Sequence, residues 1–158
     1  MFRDCTTADD AGKIARECRE RMRSNDVASV APLLSADFVH EWPQTGERIR
    51  GAGDFVRMNA EYPAHGPGRF TIHRLAGGTR EAVSDVGITD GVLDVRAITF
   101  FEVADGRVPR IVEWRPEPYA APAKRAHRAG KMDWRPRLSV PPAACAARRP
   151  RPRGACVP

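Results

Sequence analysis

No apolar run in this 158-residue chain approaches the roughly 18 residues that a membrane-spanning helix needs. The first ten residues are polar and hold no apolar stretch of signal-peptide length, so a cytoplasmic protein is expected. Cysteine is sparse: Cys5, Cys18, Cys145 and Cys156 form no CxxC and have no histidine cluster beside them. That spacing argues against zinc and gives no disulfide framework; it reads as free thiols, with Cys18 on the buried face of a helix. There is also no Gly-rich phosphate loop, no GxSxG elbow and no HExxH pair. Neither a metal nor another cofactor is expected.

Acid is missing from one region. Residues 1–133 hold 20 Lys+Arg and 20 Asp+Glu, whereas the last 25 residues hold six Arg and no acid, so the whole net charge of +6 lies there. That stretch also carries six Pro and no periodic apolar pattern. Such a segment buries too little to offset its ordering entropy. Residues 134–158 are therefore read as a disordered tail on a single domain, 1–133. Nucleic acid is not an expected partner, except as a weak polyanion contact of this tail; the alternative is a plain solvated end.

What remains is enough for one self-sufficient core. Thr7-Ala8-Asp9-Asp10 resembles a helix cap, with acids in the first turn. Ile14, Cys18 and Met22 then recur every four residues beside Ala11 and Ala15, with Arg16, Arg19, Glu20 and Arg23 on the other side. A second helix follows Ser24-Asn25-Asp26, carrying Val27, Val30, Leu33 and Leu34, and Pro32 inside it must bend it or shorten its hydrogen bonding. Phe38–Trp42 reads as a strand ended by Pro43. After a Gly-containing loop, a third helix puts Phe55, Met58 and Tyr62 on one face, stopped by Pro63. From Arg69 the period becomes two. Strands are predicted over Phe70–Leu75, Arg80–Thr89, Val92–Val103 and Val108–Trp114, joined by Gly77-Gly78, Asp90-Gly91 and Asp105-Gly106. The class is α+β: three N-terminal helices packed on a curved, mostly antiparallel sheet.

The element order resembles the SnoaL-like branch of the nuclear transport factor 2-like superfamily over residues 8–128. The phrases that carry the resemblance are Asp37-Phe38-Val39-His40-Glu41-Trp42-Pro43, Ile49-Arg50-Gly51, and Asp105-Gly106-Arg107-Val108 with Ile111-Val112-Glu113-Trp114. The resemblance implies a cone-shaped fold with a pocket between sheet and helices, and a homodimer through the sheet. It implies no single activity, since cyclases, isomerases, dehydratases, epoxide hydrolases and non-enzymatic binders share the fold. In cyclases and isomerases of this kind a pocket aspartate transfers the proton. After Trp114 this chain runs Arg115-Pro116-Glu117-Pro118-Tyr119, and no such aspartate is placed.

His40 alternates with Phe38 and Trp42, so the three share one side of their strand. It is either an acid/base group beside an aromatic wall or an ordinary strand histidine. Glu41 points the opposite way, to the surface or a dimer interface. Trp42 and Trp114 are pocket walls or core filling. Tyr62 is a hydrogen-bond donor to substrate or a core tyrosine with a wet tip. Glu113 is a desolvated acid/base group, or it is held ionised by Arg96 or Arg115. His73 is a weaker candidate than His40, and His65 and His127 carry no signal. The catalytic candidates are thus His40, Glu113 and Tyr62, with Phe38, Trp42, Phe55, Met58 and Trp114 to hold substrate. Two functions stay open. One is a cofactor-independent isomerase, cyclase, dehydratase or hydrolase acting by proton transfer on a small apolar cyclic molecule. The other is a non-catalytic ligand-binding or protein-interaction module of the same fold.

Overall fold

The computed structural model describes residues 10–61, 65–130 and 132. Helix α1 spans Ala11–Arg23, where Asp10, and not a threonine, is the cap: its carboxylate accepts from the Lys13 N–H at 2.9 Å. No acid stands in the first turn. Its buried stripe is Ala11, Ala15, Cys18, Arg19 and Met22. Arg19 thus belongs to the buried face and not, as its charge suggested, to the solvent side.

The second helix is a 3-10 helix over Val27–Leu33, not an α-helix, with Pro32 inside it. Proline removes a donor and blocks the α-helical bond to the residue four before it, which favours the shorter, tighter form. Leu34 already belongs to strand β1, which runs Leu34–Trp42. The loop expected after Pro43 contains a short strand, β2, Glu47–Arg50, which pairs antiparallel with β1. Gly46, with φ +74°, closes that hairpin. Helix α2 follows as Ala52–Glu61 and buries Phe55.

The predicted meander is present as β3 (Arg69–Gly77), β4 (Glu81–Thr89), β5 (Asp94–Ala104) and β6 (Arg107–Trp114). The strand order is β2-β1-β6-β5-β4-β3. Every pairing is antiparallel except β1 with β6, which is parallel and aligns His40 with Ile111. Register shifts interrupt β1, β3 and β5, and such bulges bend a sheet. Helix α1 packs against β3, β4 and β5, and α2 lies over β1 and β2. Phe38 and Phe101, both almost fully buried, fill the core between these layers.

Asp105 and Gly106 both adopt positive φ in the β5–β6 turn, the reason for that dipeptide there. Gly77 has a different reason. A Cβ on it would sit 2.6 Å from the Gly12 Cα, so the glycine lets α1 lie directly on β3. No described helix is long and apolar enough to cross a membrane.

Candidate functional site

Alternation along β1 turns Phe38 and His40 inward while Val39 and Glu41 turn outward. The His40 ring lies 4.2 Å from the Trp42 ring and 5.7 Å from Phe55, and Phe38 meets Phe55 edge-on at 5.4 Å. Four of the predicted residues are therefore brought together. Of these four, His40 and Phe55 line the cavity, while Phe38 and Trp42 pack behind it; Met58 is half-buried and Trp114 43% exposed, both also outside the lining, and Tyr62 lies outside the described residues.

Glu113 comes in from β6. Its Oε1 accepts from the Trp42 indole N–H at 3.1 Å and from Arg115 Nε at 3.0 Å. Its Oε2 accepts from the Thr99 hydroxyl at 3.0 Å and faces Arg19 Nη2 at 3.7 Å. Of the two arginines considered for it, Arg115 is a partner and Arg96 is not; Arg96 pairs with Asp85 on β4. Burial alone would raise the Glu113 carboxyl. Arg19, the His40 ring, Arg115 and the Trp42 N–H outweigh burial and hold it at about 2.

Arg19 is the principal residue that sequence reasoning placed wrongly. Its Nε donates to the Ser84 hydroxyl at 3.0 Å, its Nη2 to Thr99, and its guanidinium stands over the Phe101 ring at 5.2 Å. Burial pulls its pKa below the ordinary value, and Glu113 opposes that pull. Helical spacing could have found it, because 11, 15, 18, 19 and 22 form one stripe. Position 19 fits that arithmetic, and only its charge suggested solvent.

These groups flank a cavity of about 70 Å³ between the sheet, α1 and α2. Its apolar walls include Met22, Phe55, Phe70, Ile88, Leu93 and Ile111; its polar lining includes Arg19, His40, Thr99, Glu113 and Arg115. A single water needs roughly 10–15 Å³, so the space suits a small molecule. At the other end, Asp90 accepts from the Val92 and Leu93 N–H groups at 3.0 and 2.7 Å and meets His65 Nδ1 at 3.0 Å. Those two N–H groups, with His65, hold Asp90 at about 2 despite its burial. His65 had shown no signal in the sequence.

His40 differs from all of these. Both ring nitrogens are buried and have no hydrogen-bond partner. Burial pushes its pKa down to about 4, although Glu113 pulls the other way. At neutral pH the ring is an uncharged imidazole with one N–H and one basic nitrogen. Buried polar groups without partners are rare, and each calls for an explanation. Cys18 has no comparable chemistry, since burial raises its thiol to about 11.

The family model of the SnoaL-like domain matches residues 15–114. The chain is similar to a candidate ketosteroid isomerase from Kribbella flavida DSM 17836, at 34% identity and a TM-score of 0.71, over 77% of this chain and 89% of that one. It shares its fold with an NTF-2 like protein of unknown function from Burkholderia xenovorans LB400, at 18% identity and a TM-score of 0.63, covering 76% of this chain and 93% of that one. A LEH-like epoxide hydrolase of M. tuberculosis shares it too, at 21% identity and a TM-score of 0.56, covering 67% and 82%. No curated protein matches the sequence. With its six-stranded sheet, its helices on one face and its matched span, this chain belongs to the SnoaL-like family of the nuclear transport factor 2-like superfamily.

Proposed function

We propose that this protein binds a small, apolar, cyclic molecule and moves a proton on it without a cofactor, with His40 as the acid/base group. The observation that carries this reading is the His40 imidazole, uncharged and unpartnered in the wall of an apolar cavity. An uncharged imidazole accepts a proton from a carbon next to a carbonyl, or from a water, and can return it elsewhere. The transient imidazolium then stands near ionised Glu113, whose negative charge favours it. Glu113 itself is not the base. Its two oxygens offer about four lone-pair sites, and two N–H groups, a hydroxyl and the Arg19 guanidinium surround them. Both His40 nitrogens are buried, so on this reading proton transfer requires the ring to turn about its last torsion toward the cavity. Phe55 lines the cavity beside the ring, Trp42 packs on the ring from outside the lining, and Phe38 meets Phe55 edge-on.

Isomerisation, cyclisation, dehydration and hydrolysis all fit this arrangement. Two of the similar proteins are named for an isomerase and for an epoxide hydrolase, both within that range. We take the setting to be the cytoplasm and a homodimer formed through the outward face of the sheet, where Phe100 and Trp114 stand 49% and 43% exposed. A second reading, ligand binding without turnover, is favoured by the engagement of Glu113 and Asp90, which leaves His40 alone to act.

One experiment separates the two. The protein is incubated in D2O with 2-tetralone, and deuterium entering beside the carbonyl is measured by mass spectrometry against a buffer control. Exchange above the control that is lost in His40→Ala supports proton transfer. Binding with no added exchange supports the second reading, and exchange that survives in His40→Ala removes His40 from the role.

A further inference from the structure

The parallel ladder of β1 and β6 is prolonged by a side chain. Its register pairs Val39 with Arg110, His40 with Ile111 and Glu41 with Val112. Three residues past the last of these pairs stand Gln44 and Arg115. The β1 backbone does not carry the ladder that far. Pro43 has no N–H to donate, and the chain turns back toward β2, with the Trp42 carbonyl accepting from the Thr45 and Gly46 N–H groups at 3.2 and 3.0 Å. Gln44 supplies the missing rung. Its Oε1 accepts from the Arg115 backbone N–H at 3.1 Å, and its Nε2 donates to the Arg115 carbonyl at 3.3 Å. A side-chain amide holds the same donor and acceptor as a peptide group, so Gln44 stands in for a strand residue in the existing register.

What this rung holds is part of the cavity. Arg115 lines it, donates from Nε to Glu113 Oε1 at 3.0 Å, and places its guanidinium over the Trp42 ring at 5.3 Å. Trp42 donates its indole N–H to the same Glu113 oxygen and packs on the His40 ring. The chain around Arg115 offers it little packing, since Trp114 is half exposed and residues 116–121 are all exposed. We propose that Gln44, exposed and outside the cavity lining, is a positioning residue: its amide fixes the Arg115 backbone, and through it the guanidinium against Glu113 and Trp42 in the cavity wall. The charged groups acting on His40 are Glu113 on β6, Arg19 on α1 and Arg115 beyond β6, while α2 presents Phe55 to it. Glu113 favours the imidazolium, and both arginines oppose it. Gln44 therefore helps to set, from the surface, the charge balance around a buried ring. Glutamate in its place would lack the donor, and asparagine would be one methylene short. The assignment holds whether the site turns a ligand over or only binds it.

The test removes the amide and keeps the side-chain length, in Gln44→Met, beside Arg115→Met and the double variant, all in the full-length protein. Solvent exchange of the arginine Nε–H groups is measured by NMR at neutral pH, and the Arg115 signal is the one lost in Arg115→Met. The Arg19 Nε–H, bonded to Ser84 inside the fold, is the internal reference. In Gln44→Met the Arg115 Nε–H is expected to exchange about fivefold faster, the scale of one modest net hydrogen bond, with Arg19 unchanged. The midpoint of the His40 imidazole C–H signals, followed from pH 3 to 8, rises as it does in Arg115→Met. The double variant moves it no further than Arg115→Met does. Support needs both results. Unchanged Arg115 exchange, or an unmoved His40 midpoint, overturns the assignment. Equal acceleration at Arg115 and Arg19 overturns it too, because Gln44 then supports the fold as a whole and positions no one group. The deuterium measurement is independent: a wild type without exchange loses the proposed reaction and keeps this assignment.

Discussion

Glu41 and Glu113 are both glutamates held between two arginines, on opposite faces of the same sheet. On the outer face, Glu41 meets Arg48 Nη2 at 2.5 Å and Arg110 Nη2 at 2.7 Å, and Arg110 reaches on to Glu102. Both arginines are about half exposed, and the Glu41 carboxyl falls below its ordinary range because Arg110, then Arg48, donate to it. On the inner face, the Glu113 and Arg19 side chains are 6% and 7% exposed. One motif therefore has two physical meanings. Outside, water competes for every partner and salt screens the charges, so the pairs add little. Inside, the attraction first has to offset removal of both charges from water, and the pair becomes an obligation: either partner alone is worse than none.

The largest effect that would sharpen this contrast is Glu113→Gln, which leaves Arg19 buried without its anion. A loss of about 3–5 kcal/mol is expected by chemical denaturation. A loss below 1 kcal/mol would mean that Arg19 leaves its pocket in the variant and reaches water.

Next comes acid. His40 has its folded pKa depressed, from 6.5 to about 4. Its contribution is therefore fully present above pH 6.5 and is lost as the pH falls toward 4, by about 3 kcal/mol in all. Glu113, depressed from 4.5 to about 2, adds a second loss below pH 4.5. A melting curve across pH 3–8 should decline in those two windows, and a flat profile between pH 6.5 and 4 would show that His40 has a partner. In His40→Leu the first window should vanish. The same variant should be about 1 kcal/mol more stable at pH 7, since a buried unpartnered ring gives way to an apolar side chain. Destabilisation instead would show that the imidazole is part of the structural frame. The smallest effect is Glu41→Gln, within about 1 kcal/mol and smaller still in 1 M salt.

The sheet was legible because its signals are local. Asp90-Gly91 and Asp105-Gly106 mark turns through positive φ at Gly91, Asp105 and Gly106, and alternating Ala97, Thr99, Phe101 and Val103 mark the buried face of β5. The strand β2 was missed because four residues with one partly buried side chain show no period. The parallel β1–β6 pairing was missed because no turn connects the two strands. In the site, the grouping of Phe38, His40 and Trp42 follows from alternation alone. Arg19, Thr99 and Ser84 were not read as site residues, because what makes them so is a partner on another element. Trp114 sits at the end of an apolar strand, like Trp42, yet faces out. The sequence pattern does not distinguish the two ends. The tail beyond residue 133 and Tyr62 lie outside the described residues, so the domain boundary and that candidate stand as expectations.

The parallel pairing of β1 with β6 also sets a timetable. Trp42 and Glu113 are 71 residues apart in the chain, and Arg19 and Thr99 are 80 apart. Hairpins β3–β4, β4–β5 and β5–β6 can close early, since their ends are near in sequence. The first strand joins only after a long loop has been closed, and such non-local pairing is slower than closing a hairpin. Until it joins, Glu113 remains hydrated and β6 presents an open edge. A chain released from synthesis or recovering from heat would therefore possess most of its sheet before it possesses a site, and recovery of ligand binding should lag behind recovery of β-structure.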